Sequence, residues 1–255
     1  MKTNSSPLAL PVSEQFYSIQ GEGPYAGKPA VFLRLKGCNL SCGGLRTMQT
    51  TQLDSGATWR CDTIEVWQKG ELLSFEAIVQ SWERDGCFEA LKKGAHLVLT
   101  GGEPLLYDTV LAQFLVYLKR RLASSVFVEL ETNATRVPSA CLAQEISCFN
   151  VSPKLSNSGM PKARRWNAEA LEWFSKQARA HFKFVVSNSA DIQEVQDDFV
   201  RPWKLHAHAI FLMPAVTTRD AWYRCASEVV SWCKDYGYSF SPRLQVMLWD
   251  ETTGC

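Results

Sequence analysis

The chain has 255 residues, 46% of them hydrophobic, enough for a large core and within the range of a single α/β barrel. Lys and Arg number 27 against 26 Asp and Glu, a net charge of +1, which argues against a broad electrostatic footprint for nucleic acid and leaves room for a local basic pocket. No run approaches the ~20 apolar residues of a membrane span, and Met1–Pro11 carries no secretory pattern. Nine cysteines without such a signal point to a reducing compartment, the cytoplasm, rather than to a disulfide framework.

Taken in chain order, Phe16-Tyr17-Ser18-Ile19-Gln20-Gly21-Glu22-Gly23 reads as a polar, glycine-bearing loop, and Ala30–Leu35 as the first strand. Gly43–Arg60, rich in Thr, Gln, Gly and Ser, reads as an extended inserted loop. Loops of that length are usually functional or disordered. The rest alternates. Helical patterns cover Phe75–Leu91, Thr109–Leu122, Ala168–Arg179, Ile192–Phe199 and Arg219–Tyr236. Between them lie strand-like runs at His96–Thr100, Val126–Glu131, Phe149–Ser152, Phe182–Val186, Ile210–Met213 and Leu244–Leu248. These are often apolar on consecutive positions, as in strands buried on both faces. Such alternation predicts βαβ units and a parallel sheet. About six units fit, two fewer than a complete eight-fold barrel. There is no internal repeat and no low-complexity linker. The expected fold is α/β, an incomplete (β/α)6 TIM-like barrel in one domain over 1–255, with an inserted loop at 43–60.

Chemistry in parallel α/β folds sits at the carboxyl ends of the strands. Gly37-Cys38-Asn39 follows the first strand, Gly101-Gly102-Glu103-Pro104 the second, Thr132-Asn133 the third and Pro153-Lys154 the fourth.

Cys38 and Cys42 are separated by three residues, and Cys61 follows after eighteen more. Iron–sulfur clusters take thiolate ligands. Three ligands on a four-iron cluster leave one iron open, able to chelate the amine and carboxylate of a methionine moiety. The spacing alone also admits loop thiols or part of a zinc site, although zinc usually takes a fourth Cys or His nearby and none is present. Cys87, Cys141, Cys148, Cys225, Cys233 and Cys255 read as ordinary buried or surface thiols.

The Gly101-Gly102 pair lets the backbone approach a ligand closely, with the Glu103 carboxylate beside it; a strand-ending turn is the alternative. Glu131, Asn133, Ser152 and Lys154 are polar groups at strand ends, suited either to a nucleoside cofactor or to capping. Gln20 and Glu22 suit the amide and amino groups of a heterocycle. Arg34 sits inside an otherwise apolar strand, where it needs either an internal ion pair or an anionic substrate that its planar fork can grip. His96, His181, His206 and His208 show no metal-ligand pattern.

The cysteine trio and the Gly-Gly-Glu-Pro loop resemble the radical S-adenosylmethionine superfamily. Within it, Glu14–Gly23, Phe32–Cys42 and Cys61-Asp62-Thr63 are similar to the 7-carboxy-7-deazaguanine synthases, and the likeness continues through Glu131-Thr132-Asn133, Ser152-Pro153-Lys154 and Met213-Pro214. The resemblance implies a [4Fe–4S] cluster on Cys38, Cys42 and Cys61. It further implies S-adenosylmethionine bound along Gly102, Glu103, Glu131, Asn133, Ser152 and Lys154. A carboxytetrahydropterin would meet Gln20, Glu22, Arg34 and Thr100, and Mg2+ would bind at Thr63. It implies the radical SAM type of incomplete barrel, a homodimer, a flavodoxin- or ferredoxin-type reductant, and no nucleic-acid or membrane partner. Two departures stand out. The family's usual spacing is C-x3-C-x2-C, and here the second gap is eighteen residues. Some relatives place a histidine and the terminal carboxylate over the substrate; Leu244–Trp249 offers no histidine, only Gln245. Competing readings are an activase that installs a glycyl radical on a partner protein, and a non-catalytic iron–sulfur protein.

Overall fold

A computed structural model describes residues 8–50, 52–54, 56–252 and 254. Residues 1–7, Thr51, Ser55, Thr253 and Cys255 therefore lie outside the described residues. Among the described residues nine strands form one mixed sheet: β1 (Ala9–Ile19), β2 (Pro29–Leu35), β3 (Glu71–Ser74), β4 (His96–Gly101), β5 (Val128–Thr132), β6 (Cys148–Val151), β7 (Ala180–Val186), β8 (Ile210–Pro214) and β9 (Ser239–Phe240). Their order is β3-β1-β2-β4-β5-β6-β7-β8-β9. From β2 through β4 to β9 every pairing is parallel, while β1 runs antiparallel to both β2 and β3. Since β3 and β9 stand at opposite ends of this order, the sheet does not close into a barrel.

Successive side chains of a strand point to opposite faces, and here the two faces differ in kind. Val31, Leu33, Leu97, Leu99, Leu130 and Phe184 join the main core with the fully buried helical side chains Trp82, Phe114, Phe174 and Phe199. The other face carries a small apolar cluster of Ala30, Phe32 and Val98 and, besides it, the polar side chains of Arg34, Thr100, Glu129, Glu131, Asn150 and Lys183. Buried polar side chains need partners or a ligand, so the polar part of this second face forms the site.

The helices are set by their ends. Ser74, Ser139, Asn167, Asn188 and Thr218 each cap a helix by accepting a backbone N–H. The pattern over Phe75–Leu91 divides into Phe75–Asp85 and Cys87–Lys92, because Gly86 takes a left-handed conformation (φ 81°) that ends the first helix. Ala168–Ser175 stops short of the expected Arg179. The pattern over Ile192–Phe199 begins as the helix Ser189–Glu194 and widens into a π-helical turn at Val195–Val200.

Two expectations are corrected. Phe16–Ile19 is not loop but the end of β1, which is mostly half-buried and is held by pairing with β2, so its polar residues gave no strand-like pattern. Leu244–Leu248 is not a strand but the helix Leu244–Trp249, of which only Val246 is buried. The last strand is the two-residue β9, too short for periodicity to reveal.

Candidate active site

A cavity of 290 Å³ opens at the carboxyl ends of the parallel strands. Cys38, Cys42 and Cys61 line it, together with Gln20, Glu22, Arg34, Thr63, Thr100, Gly102, Glu131, Asn133, Ser152 and Lys154. Glu103 lies behind this wall.

The three thiols share one small apolar cluster with Leu40, Trp59 and Met160. All eight described cysteines are free. Burial pushes the Cys38 thiol up to about 11 and the Cys42 thiol up to about 12, with the neighbouring thiols adding to the rise in both. Protons therefore stay on these sulfurs until a metal takes their place. Among the described residues no three Cys, His, Asp or Glu side chains are grouped to hold a single metal ion. A four-iron cluster makes a different demand, because each thiolate binds a different iron. An all-thiol donor set facing one cavity, with no fourth cysteine and no histidine among the described residues that line it, fits that demand. The backbone beside it is shaped for close approach: a Cβ on Gly102 would run into the Gly37 carbonyl and lie 2.5 Å from the Cys38 Cβ.

Glu103 is fully buried and engaged within the protein. Its Oε1 accepts from the Leu105 amide at 3.0 Å and the Thr132 hydroxyl at 2.9 Å, and its Oε2 from the Asn133 amide at 2.7 Å. Burial nonetheless raises its pKa above the ordinary carboxylate value. It caps the short turn at Pro104–Tyr107 and ties it to the end of β5. Asn133 donates to the Asn39 side chain at 2.9 Å, between the first two cysteines. Thr100 donates to Glu131 at 2.7 Å, and Lys154 to Ser152 at 2.9 Å. Thr63 Oγ1 lies 3.4 Å from Cys61 Sγ.

On the opposite wall, Arg34 Nε pairs with Glu14 at 2.6 Å, which follows from their direct pairing in the β1–β2 register. Gln20 is almost fully buried and donates to Glu129, a buried carboxylate that also takes His96 and Asn150. Glu22 meets three donors: Lys183 Nζ, Arg243 Nε at 3.2 Å and Gln245 Nε2 at 2.6 Å. Burial alone works to raise its pKa, but the charges of Lys183 and Arg243 outweigh that and bring it down to about 2. Arg243 reaches further, to Asp62 and to the Val216 carbonyl.

Comparison with known proteins is consistent across sequence and fold. No family model matches the chain. It is 33% identical to the 7-carboxy-7-deazaguanine synthase of Halobacterium salinarum, covering 95% of this chain and 91% of that one. It is 32% identical to the enzyme of the same name from Pyrobaculum aerophilum, covering 95% and 96%. The chain belongs to the 7-carboxy-7-deazaguanine synthase family. Among solved structures it resembles the crystal structure of QueE from Escherichia coli, with a TM-score of 0.61 at 24% identity over 92% of this chain and 93% of that one. That likeness describes the fold.

For a 7-carboxy-7-deazaguanine synthase family member, the residues that sequence reasoning passed over are Asp62, Lys183 and Arg243. Lys183 carried the same signal as Arg34, a charge inside an apolar strand, Phe182-Lys183-Phe184. Arg243 and Asp62 carried none, since their meaning lies in each other.

Proposed function

We propose that this chain converts 6-carboxy-5,6,7,8-tetrahydropterin to 7-carboxy-7-deazaguanine with loss of ammonia, as a radical S-adenosylmethionine enzyme of queuosine and related 7-deazapurine biosynthesis. The observation that carries this reading is that the cysteine trio, the Gly101-Gly102 turn and the Gln20, Glu22 and Arg34 side chains all face one cavity. When bound, a reduced [4Fe–4S] cluster and S-adenosylmethionine supply the radical that removes a hydrogen atom from the pterin.

The chain's own residues bind and orient. Cys38, Cys42 and Cys61 hold the cluster, and Gly102 keeps the backbone out of the cofactor's way. Glu131, Asn133, Ser152 and Lys154 line the cofactor side, while Glu103 supports it from behind through the Asn133 amide. On the substrate side, Arg34 uses the guanidinium nitrogens not bound to Glu14 to take the pterin carboxylate. Gln20, Glu22 and Thr100 meet the ring's polar edge. Thr63 offers its hydroxyl to Mg2+. The sheet is read as the incomplete (β/α)6 barrel of radical SAM enzymes, in one domain with 43–60 as an insertion. The active form is a cytoplasmic homodimer served by a flavodoxin- or ferredoxin-type reductant.

The test is anaerobic reconstitution with iron and sulfide, followed by an assay for the deazaguanine product and 5′-deoxyadenosine. Stoichiometric product is expected. Cluster-loaded protein that leaves the pterin unchanged overturns the reading.

A further inference from the structure

Glu22 belongs to the first loop of the chain, yet what holds it comes from the far end. Its Oε2 takes Lys183 Nζ from the middle of β7, and its Oε1 takes Arg243 and Gln245 from the start of the last helix. Lys183 and Arg243 are both buried, with side-chain exposures of 8% and 9%. Burying two cations around one carboxylate carries a desolvation cost that a surface pair does not, so stability alone gives no reason for the arrangement. The same Arg243 guanidinium also binds Asp62, the residue after Cys61. A single side chain thus spans the Glu22 loop and the segment carrying the third cysteine. The contact is reinforced by the Leu244 amide, which donates to the Gly21 carbonyl at 3.0 Å. A carboxylate offers about four lone-pair sites. Three donors on Glu22 leave room for a ligand N–H in the cavity that it lines.

We propose that Lys183 and Arg243 are positioning residues: they fix Glu22 as an anionic acceptor for the amino and ring N–H edge of the pterin, and Arg243 locks that loop to the Cys61 segment through Asp62. This rests on the function proposed above and adds to it a specificity determinant assembled from the two ends of the chain. Charge is the essential element. Besides these two cations, the groups bearing on Glu22 are Gln245 beside it, Glu131 beyond Lys183 and Asp62 beyond Arg243. Removing Arg243 leaves only Lys183 and Gln245 to offset burial on Glu22, which then binds a proton more readily and accepts less strongly from an N–H donor.

The experiment compares wild type, Arg243→Gln, Arg243→Lys and Asp62→Asn as cluster-loaded full-length proteins. Iron and sulfide content and the reduced cluster's electron paramagnetic resonance spectrum serve as the check on folding. For Arg243→Gln the expected result is a pterin KM raised about tenfold or more, the effect of losing one charge-assisted hydrogen bond, with a smaller change in kcat. Its pterin affinity falls further as pH drops from 7 toward 5, where wild type, with Glu22 held at about 2, stays flat. Arg243→Lys restores the charge beside Glu22 and recovers most of the pH independence, but it does not bridge to Asp62. Asp62→Asn, altering a partly exposed side chain, keeps the pH profile and raises KM modestly, which provides the answer if Arg243→Gln fails to fold. Unchanged KM and a flat pH profile in Arg243→Gln overturn the inference while leaving the function standing. A wild type that neither binds nor turns over the pterin overturns the function and the inference together.

Discussion

The backbone amide of Cys61 donates to the carbonyl of Cys42 at 3.1 Å. This bond closes the base of the eighteen-residue insertion, so the two cysteines meet as they would across a much shorter gap. The insertion then forms a loop whose ends touch, with Trp59 and Arg60 at its C-terminal end still on the cavity wall. It is tied down by the Gly43 amide on the Ser158 carbonyl at 2.8 Å and the Thr58 amide on the Asn157 carbonyl at 2.9 Å.

That closure predicts the outcome of shortening the loop. Replacing residues 43–60 by two residues, to restore the C-x3-C-x2-C spacing, is expected to leave the reconstituted protein with wild-type iron and sulfide content. Chemical analysis of both elements checks it. A loss of the cluster in a folded, soluble variant would mean that the loop itself orders the ligands.

The ligand roles predict that Cys38→Ala, Cys42→Ala and Cys61→Ala each abolish the cluster's absorbance and all 5′-deoxyadenosine formation. The discriminating case is Cys61→Ala, because its place after the insertion makes it the least regular ligand. Activity like that of wild type would remove it from the set.

Gly102 should not accept even one methyl group. Its Cβ would overlap the Gly37 carbonyl, a backbone atom that cannot swing aside. Gly102→Ala is expected to cost about 1–3 kcal/mol of stability, as overpacking does, and to lower S-adenosylmethionine affinity. Chemical denaturation and equilibrium binding measure the two effects separately.

Arg34→Lys tests the substrate carboxylate. An ammonium can keep the Glu14 pair but cannot also present a bidentate fork to a ligand. The KM for the pterin should rise about tenfold. An unchanged value would assign Arg34 to the internal ion pair alone.

Acid stability should depend on Glu22. Its pKa falls from 4.5 to about 2 on folding, so its ionised form stabilises the native state fully above about pH 4.5, and that contribution is lost as the pH falls through about 2. Glu22→Gln strands Lys183 as a buried charge, leaves Arg243 with Asp62 alone as an ionic partner, and is expected to cost about 3–5 kcal/mol near neutrality. Denaturation midpoints across pH should show the variant losing less between pH 4.5 and 2 than wild type does; parallel curves would contradict the assignment.

Much of the site was legible because its signals are local. Abrupt ends of apolar runs located β2, β4, β5 and β6, and the polar residues just beyond them face the cavity. Glu103 shows where such reasoning stops. Its place in the motif suggested a group exposed to ligand, yet three internal donors occupy its carboxylate. The end of the chain shows the same limit differently. Leu244–Trp249 is apolar enough for a strand, but with only Val246 buried it coils as a helix beside the Gly21 loop.

From its residues alone, the chain determined its strand–helix alternation, the parallel run from β2 onward, the cysteine trio and the glycine turn, because propensity, periodicity and spacing act over a few residues. The tertiary structure decided which distant charges meet. Glu22 stands 161 residues from Lys183 and 221 from Arg243, and the insertion closes through one hydrogen bond between Cys42 and Cys61. Strand order and register bring such groups together, and those are properties of the whole sheet that no local stretch of sequence contains.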